Sequence, residues 1–371
     1  MDHDLITAWL DCKMFFTFIM HGMTVEEFGW KAIFGNALSE CTVGAELYVS
    51  IASSSNESQL LPSKAAFSKN YRLECSQIAL LFQKTTGDLV VIAALTSQIY
   101  SDGNEKICYI EYVDTTGSFS PRSMQSSVTK SFVSSYIKYA IDCIGVSMFS
   151  IFASPKASLI FKDSEKMQEK KPISGQGLIS WWISCLAQCK DLKVFVKFPG
   201  EESFIKKLLP QNDNWSIGLP FDSDANAIDI LPVFRDDPKF QHFSTLFTSD
   251  DSAKKQKVQI SVQEFFESIF IRPEFKDNAA CFFYLKPHVL KESKYSVISD
   301  NDTYSKVMDI LNTSMHDANC LIDISKRLIS SGIHLTDPIH TKEKKPLQKD
   351  VEKTQTATHI NNVQSFIKRK K

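Results

Sequence analysis

Apolar and polar positions along the chain mark strands first. Residues 46–53 (ELYVSIAS) read as a strand. Residues 76–83 and 89–100 are two apolar runs around Lys84-Thr85-Thr86-Gly87-Asp88, which predicts a hairpin of buried strands. Residues 106–113 (KICYIEYV) alternate and predict a further strand that ends at Asp114-Thr115-Thr116-Gly117, a turn by composition. Val133, Ile137, Ala140, Ile141 and Ile144 recur at helical spacing, so about 124–144 is an amphipathic helix. Short strands follow at 147–152, 192–198, 258–262 and 281–285. Ser174 is placed to cap a helix carrying Trp181-Trp182, Pro199-Gly200-Glu201 leads into a short helix, and the 258–262 strand leads into a helix that runs to about Ile271. Residues 303–330 are expected to form one long helix with apolar positions at Val307, Ile310, Leu311, Leu321, Ile324 and Leu328.

Strands and helices are interspersed without strict βαβ regularity. That predicts an α/β (α+β mixed) fold, a central mixed β-sheet flanked by helices. The chain of 371 residues suits one large domain. The expected division is an N-terminal extension over 1–40, a main domain over 41–335, and a disordered basic tail over 336–371.

Charge is unevenly distributed. From Thr341 onward there are nine Lys and Arg against three Asp and Glu, leaving the tail at +6 and the body at −7. An acidic body suits a basic partner better than nucleic acid. The closing Lys368-Arg369-Lys370-Lys371 fits a nuclear import signal or a partner-binding arm, or simply a solvated end. The nine cysteines are dispersed, as in a reducing compartment. Cys185 and Cys189 lack further ligands nearby, so no metal site is expected. The apolar run at 14–20 (MFFTFIM) is too short to span a membrane and follows Asp2 and Asp4 rather than basic residues.

Chemistry-bearing motifs are few. There is no P-loop, dinucleotide fingerprint or nucleophile elbow. Ser174-Gly175-Gln176-Gly177 fails the Arg/Gln-x-x-Gly-x-Gly frame of pyrophosphate-binding acetyltransferases, because Pro172 holds its first position. Asp236-Asp237-Pro238-Lys239 reads as a helix start, with Asp237 as cap. It also reads as a carboxylate set beside a reactive amine. Trp181 and Trp182 lie about 100° apart on a helix, so both can be core, or one can line a cleft.

Several segments in this order resemble the fungal regulator-of-Ty-transposition histone H3 acetyltransferase family, a structural relative of the CBP-type acetyltransferase core. They are Tyr112-Val113-Asp114-Thr115-Thr116-Gly117, Phe152-Ala153-Ser154-Pro155 with Phe161 and Ser164, Trp181-Trp182, and Phe198-Pro199-Gly200-Glu201. Trp215-Ser216-Ile217-Gly218, Phe234-Arg235-Asp236-Asp237-Pro238-Lys239 and Arg272-Pro273-Glu274-Phe275-Lys276 complete the set. The resemblance covers roughly residues 75–330.

The resemblance implies a CBP-like histone acetyltransferase fold that uses acetyl-CoA. It implies Val113, Asp114 and Thr115 at the thioester and pantetheine, and Arg122, Ser123, Met124, Gln125 and Ser126 at the pyrophosphate. Phe152, Lys156, Lys171, Pro172, Ile173 and Trp181 would complete the cofactor pocket. Asp237, Asp236, Trp182 and Asp114 would form the catalytic set, and Lys239 would be acetylated by the enzyme itself. Implied partners are histone H3–H4, a nucleosome-assembly-type chaperone and an anti-silencing-function chaperone, all in the nucleus, with roles in the DNA damage response and chromatin assembly. Leu159 stands where relatives have Tyr, Gln241 where they have Arg, and Lys171 where some have His. A non-catalytic histone-binding scaffold with the same fold is the alternative expectation.

Overall fold

The structure, a computed structural model, describes residues 34–35, 37–39, 41, 44–55, 72–153, 175–197, 202–218, 281–292, 299–312 and 318–341. Among the described residues nine strands form one mixed sheet. They are β1 (Glu46–Ser54), β2 (Arg72–Lys84), β3 (Leu89–Ser101), β4 (Lys106–Thr115), β5 (Met148–Ala153), β6 (Leu192–Lys197), β7 (Trp215–Ile217), β8 (Cys281–Pro287) and β9 (Ile339–His340). Their spatial order is β7-β6-β8-β5-β4-β3-β2-β1-β9. The helices are α1 (Gln125–Tyr139), α2 (Gly175–Leu186), α3 (Glu202–Leu208), α4 (Asn301–Leu311) and α5 (Ala318–Ser330). Mixed pairing and two flanking helical layers match the expected fold class.

β2 and β3 are buried along nearly their whole length, as strands with both faces covered must be. One face carries Leu81, Leu95, Ile110, Phe149 and Phe283, packed against Phe132 and Val133 of α1 and Ile179 and Trp182 of α2. Each such large apolar side chain contributes about 1.5–3 kcal/mol when fully buried. Phe34 stacks on Phe132 at 6.0 Å, so the core reaches back into the first forty residues, which sequence had set apart as an extension. On the opposite face α4 and α5 cover Ile78, Leu80, Phe82 and Ala94.

A polar thread crosses the first core. The Tyr136 hydroxyl donates to Gln77 Oε1 at 2.7 Å and pairs with Ser97 Oγ. Gln77 Nε2 in turn donates to Ser53 Oγ at 3.1 Å. The Cys108 thiol meets Ser97 and Tyr136 as well, and burial pushes it up to about 12. α1 is thereby tied to β1, β2, β3 and β4 by directional bonds inside an apolar layer.

The expected single helix over 303–330 is two helices instead. Leu321 lies ten residues beyond Leu311, which in one straight helix would turn the apolar face by about 80°. Asp300 caps α4, accepting from the Asp302 and Thr303 amides at 3.1 and 3.0 Å. The expected helix over 124–144 is α-helical only to Tyr139. It then widens into a π turn, Ala140–Ile144, and closes on Gly145 at φ 78°. Ordered structure also runs past the boundary expected at 335. β9 pairs with β1 through Leu47–Ile339 and Glu46–His340. Thr336 and Thr341 bond the β1 backbone on either side of it. The strand expected at 258–262, its following helix and the tail beyond Thr341 lie outside the described residues.

Candidate active site

The central feature is the carboxyl end of β4. β4 and β5 run parallel, joined by the α1 crossover, and pair from Ile107–Met148 to Ile110–Ile151. Against β3 the register slips: Ser97 faces Ile110 but Thr96 faces Tyr112. Glu111 is therefore an extra residue, a β-bulge that bends the strand where its pairing with β5 stops. Gln98 Nε2 holds the Glu111 carboxylate at 2.8 Å. Residues 107–110 are buried, whereas Glu111, Tyr112, Val113, Asp114 and Thr115 are half-buried. A half-open strand end beside a parallel neighbour is where α/β sheets take ligands.

Sequence composition predicted a turn at Asp114-Thr115. The structure keeps both in β4, paired with Ala94 and Ala93. Alternation then sorts the side chains. Val113 packs into the core under α1 and α2. Asp114 pairs with Ala94, which belongs to the opposite core under α4 and α5. Asp114 and Trp182 thus stand on opposite faces of the sheet. The Asp114 Oδ1 accepts from the Thr115 amide at 2.7 Å.

The connection to α1 is pinned. Thr116 donates through its amide to Ile92 O at 3.1 Å and through its hydroxyl to Val91 O at 3.0 Å. Gly117 turns at φ 74°, and Phe119 is buried in the core. The side-chain amide of Gln83 bonds both backbone groups of Ser120. It accepts from Ser120 N at 2.9 Å and donates to Ser120 O at 2.6 Å. The 3₁₀ turn Arg122–Met124 then leads into α1.

No side chain caps the 3₁₀ turn or α1, and no acidic residue occupies either first turn. Arg122, Ser123 and Ser126 are exposed there, with Met124 and Gln125 half-buried. An uncapped helix start carrying a guanidinium offers N–H donors and positive potential to an anion. A groove of about 490 Å³ lined by Glu46, Gln83, Lys84, Thr85, Thr86 and Ser120 reaches the same turn.

α2 brings the tryptophans to the α1 face. Trp182 is 6% exposed and packs toward Phe283 of β8 at 6.5 Å. Trp181 is half-buried and meets Trp182 edge-on, with centroids 5.1 Å apart at 83°. One indole is core and its neighbour reaches the surface, as the helical spacing allows. Phe152 lies in β5, opposite Phe282. Lys156, Lys171, Pro172, Ile173, Asp236, Asp237 and Lys239 lie outside the described residues, as do Leu159 and Gln241. The sequence reading missed Gln83, because it acts on the Ser120 backbone, brought near only by folding, and it gave no role to Phe119, which is buried in the core.

Burial pushes the Cys189 thiol up to about 11, and also raises Cys185 and Cys281. None of these cysteines is an activated nucleophile. Among the described residues no helix is long and apolar enough to cross a membrane.

A mixed sheet with a helical crossover, a splayed strand end and flanking helices defines an α/β protein. The chain belongs to the histone acetyltransferase KAT11-type domain family, whose model matches residues 145–371. It is 27% identical over 130 residues to the histone acetyltransferase RTT109 of Candida albicans, covering 34% of each chain. It is 22% identical over 243 residues to the histone acetyltransferase rtt109 of Schizosaccharomyces pombe, covering 59% of this chain and 62% of that one. The matched regions therefore span a third and somewhat under two thirds of these relatives. The crystal structure of Rtt109 from Aspergillus fumigatus has the same fold, with a TM-score of 0.60 at 15% identity, over 83% of this chain and 99% of that one.

Proposed function

We propose that this chain transfers the acetyl group of acetyl-CoA to lysines of histone H3, presented as H3–H4 by nucleosome-assembly-type and anti-silencing-function chaperones in the nucleus. The observation that carries the reading, beside family membership, is the half-open β4 end joined by a pinned turn to the uncapped start of α1 with Arg122. Such a start can hold the pyrophosphate through N–H groups and charge. The adjoining strand end, with Val113, Asp114 and Thr115, can lie along the pantetheine and thioester. Trp181 and the segment from Lys156 to Ile173 are proposed to close the other side.

A lysine with its ordinary pKa of about 10.4 is almost wholly protonated near neutrality. Freeing its amine at pH 7.4 costs roughly 4 kcal/mol. Asp237, assisted by Asp236, is proposed to accept that proton. The apolar surroundings formed by Trp182, buried behind Trp181, are proposed to favour the neutral amine by desolvation. The amine nitrogen then bonds the acetyl carbon, the C–S bond breaks with its electron pair passing to sulfur, and the nitrogen's remaining excess proton goes to the departing thiolate, leaving a neutral amide and the CoA thiol. Lys239 undergoes the same transfer, removing a cation beside the aspartates. Asp114 serves at the cofactor end of β4.

The test incubates the full chain with labelled acetyl-CoA and H3–H4, with and without a nucleosome-assembly chaperone. Mass spectrometry should find acetyl groups on H3 lysines and on Lys239. Asp237→Asn should lower kcat/KM by about 100-fold or more. A folded protein that transfers nothing under any condition would instead be a histone-binding scaffold.

A further inference from the structure

We infer that Gln83 is the positioning residue for nucleotide binding, holding the turn that presents Arg122 and the start of α1; this rests on the proposed acetyl-CoA site. Gln83 stands near the end of β2, is 5% exposed, and is distant in sequence from any site residue. Its amide makes the reciprocal pair with the Ser120 backbone described above, two residues before Arg122. A primary amide offers a donor and an acceptor on two adjacent atoms, so it can pair with both polar groups of a single peptide residue. The pairing resembles a one-residue β-bridge made by a side chain. It sets both the position and the orientation of Ser120.

The preceding anchors, Thr116 and Phe119, hold the strand end of the connection. Only Gln83 among these anchors bonds the residues adjoining the 3₁₀ turn. Ser120 is itself exposed, so little packing replaces the pair if it is lost. Small displacements of binding groups weaken contacts made only in good geometry. Gln83 should therefore act on the nucleotide end of the donor and leave the thioester end alone.

The test compares the full chain with Gln83→Met, which keeps length and removes both bonds, Gln83→Glu, which keeps only the acceptor, and Arg122→Ala. Each is assayed on acetyl-CoA and on acetyl-pantetheine, which lacks the nucleotide, with melting temperature as a fold control. Gln83→Met should raise KM for acetyl-CoA roughly tenfold. kcat should stay within about twofold, and kcat/KM for acetyl-pantetheine should not change. Gln83→Glu should fall between Met and wild type. Combined with Arg122→Ala, Gln83→Met should add little, because both act through one contact. If Gln83→Met matches wild type while Arg122→Ala weakens acetyl-CoA, the positioning role is wrong and the nucleotide site stands. If Arg122→Ala also has no effect, the nucleotide binds elsewhere and both ideas fall. Equal losses on the two donors, or a Gln83→Met protein that does not fold alongside a wild-type-like Gln83→Glu, would make Gln83 merely structural.

Discussion

Replacing Tyr136 by Phe removes one oxygen and almost no volume from the middle of the first core. The ring remains and its packing against β2 and β3 is conserved, so the hydrophobic contribution is nearly unchanged. The cost is in hydrogen bonds. Tyr136 is fully buried, and its hydroxyl bonds Gln77 Oε1 at 2.7 Å and Ser97 Oγ. Gln77 and Ser97 are 0% and 1% exposed, so no water replaces the lost partner. A net hydrogen bond is worth about 1 kcal/mol, and an orphaned buried acceptor costs about 1–3 kcal/mol. Together these set the expected loss at about 2–3 kcal/mol. In a domain of about 300 residues, whose unfolding entropy is about 0.6 kcal/mol/K, that is a fall of roughly 3–5 °C in melting temperature. Urea unfolding followed by tryptophan fluorescence should show a lower midpoint with an unchanged slope. Ser97→Ala shares the network, so the double variant should cost about 1 kcal/mol less than the sum of the two singles. If Tyr136→Phe unfolds within 0.5 kcal/mol of wild type, or the pair proves additive, the thread is incidental and apolar packing alone seats α1. The 0.5 kcal/mol threshold is about the scatter expected of an uninvolved surface site.

Two further outcomes follow from single groups. Asp300→Ala should cost about 1 kcal/mol by uncapping α4. Bonds from the Thr303 amide and hydroxyl hold the Asp300 carboxyl below its ordinary value. The cap's contribution is therefore complete above the unfolded value of about 3.9 and fades as pH falls through the lower folded value. The melting-temperature gap between the two proteins should be constant from pH 7 to 5 and close under more acid conditions; a gap that widens there would contradict the sign. Cys189 is half-buried, and its thiol is pushed up to about 11, so iodoacetamide at pH 7.5 should label it much more slowly in the folded protein than after denaturation, read by peptide mass spectrometry. Equal labelling rates for the native and denatured protein would refute the raised pKa.

What could be read from sequence was what local periodicity encodes. The β2–β3 hairpin announced itself because apolar runs flank Lys84-Thr85-Thr86-Gly87-Asp88, and Thr85 N does bond Asp88 O at 2.9 Å. The amphipathic pattern of α1 was equally plain. The end of β4 was misjudged because Asp and Thr favour turns in isolation, while the β3 ladder that keeps them extended comes from twenty residues away. The division into α4 and α5 went unread, although the apolar positions of the two are rotated relative to one another along the sequence. Of the candidate site, the segments around β4, α1 and α2 were found through resemblance rather than physics, since none of their motifs is specific alone. The bulge at Glu111 and the Gln83 anchor were illegible, because both exist only once distant strands are in register.

The two-residue strand β9 closes one side of the sheet, as the three-residue β7 closes the other. Thr336 and Thr341 bracket β9. They bond the backbone of Val49 and Ala45, satisfying β1 on its outer side. An uncovered β1 would present a long row of free amides and carbonyls, beside buried Leu47 and Val49, to any passing strand. Residues 336–341 are thus a guard against self-templating. A protein trimmed at 335 to remove the basic tail would lose the guard along with the tail, and would be prone to stack edge to edge.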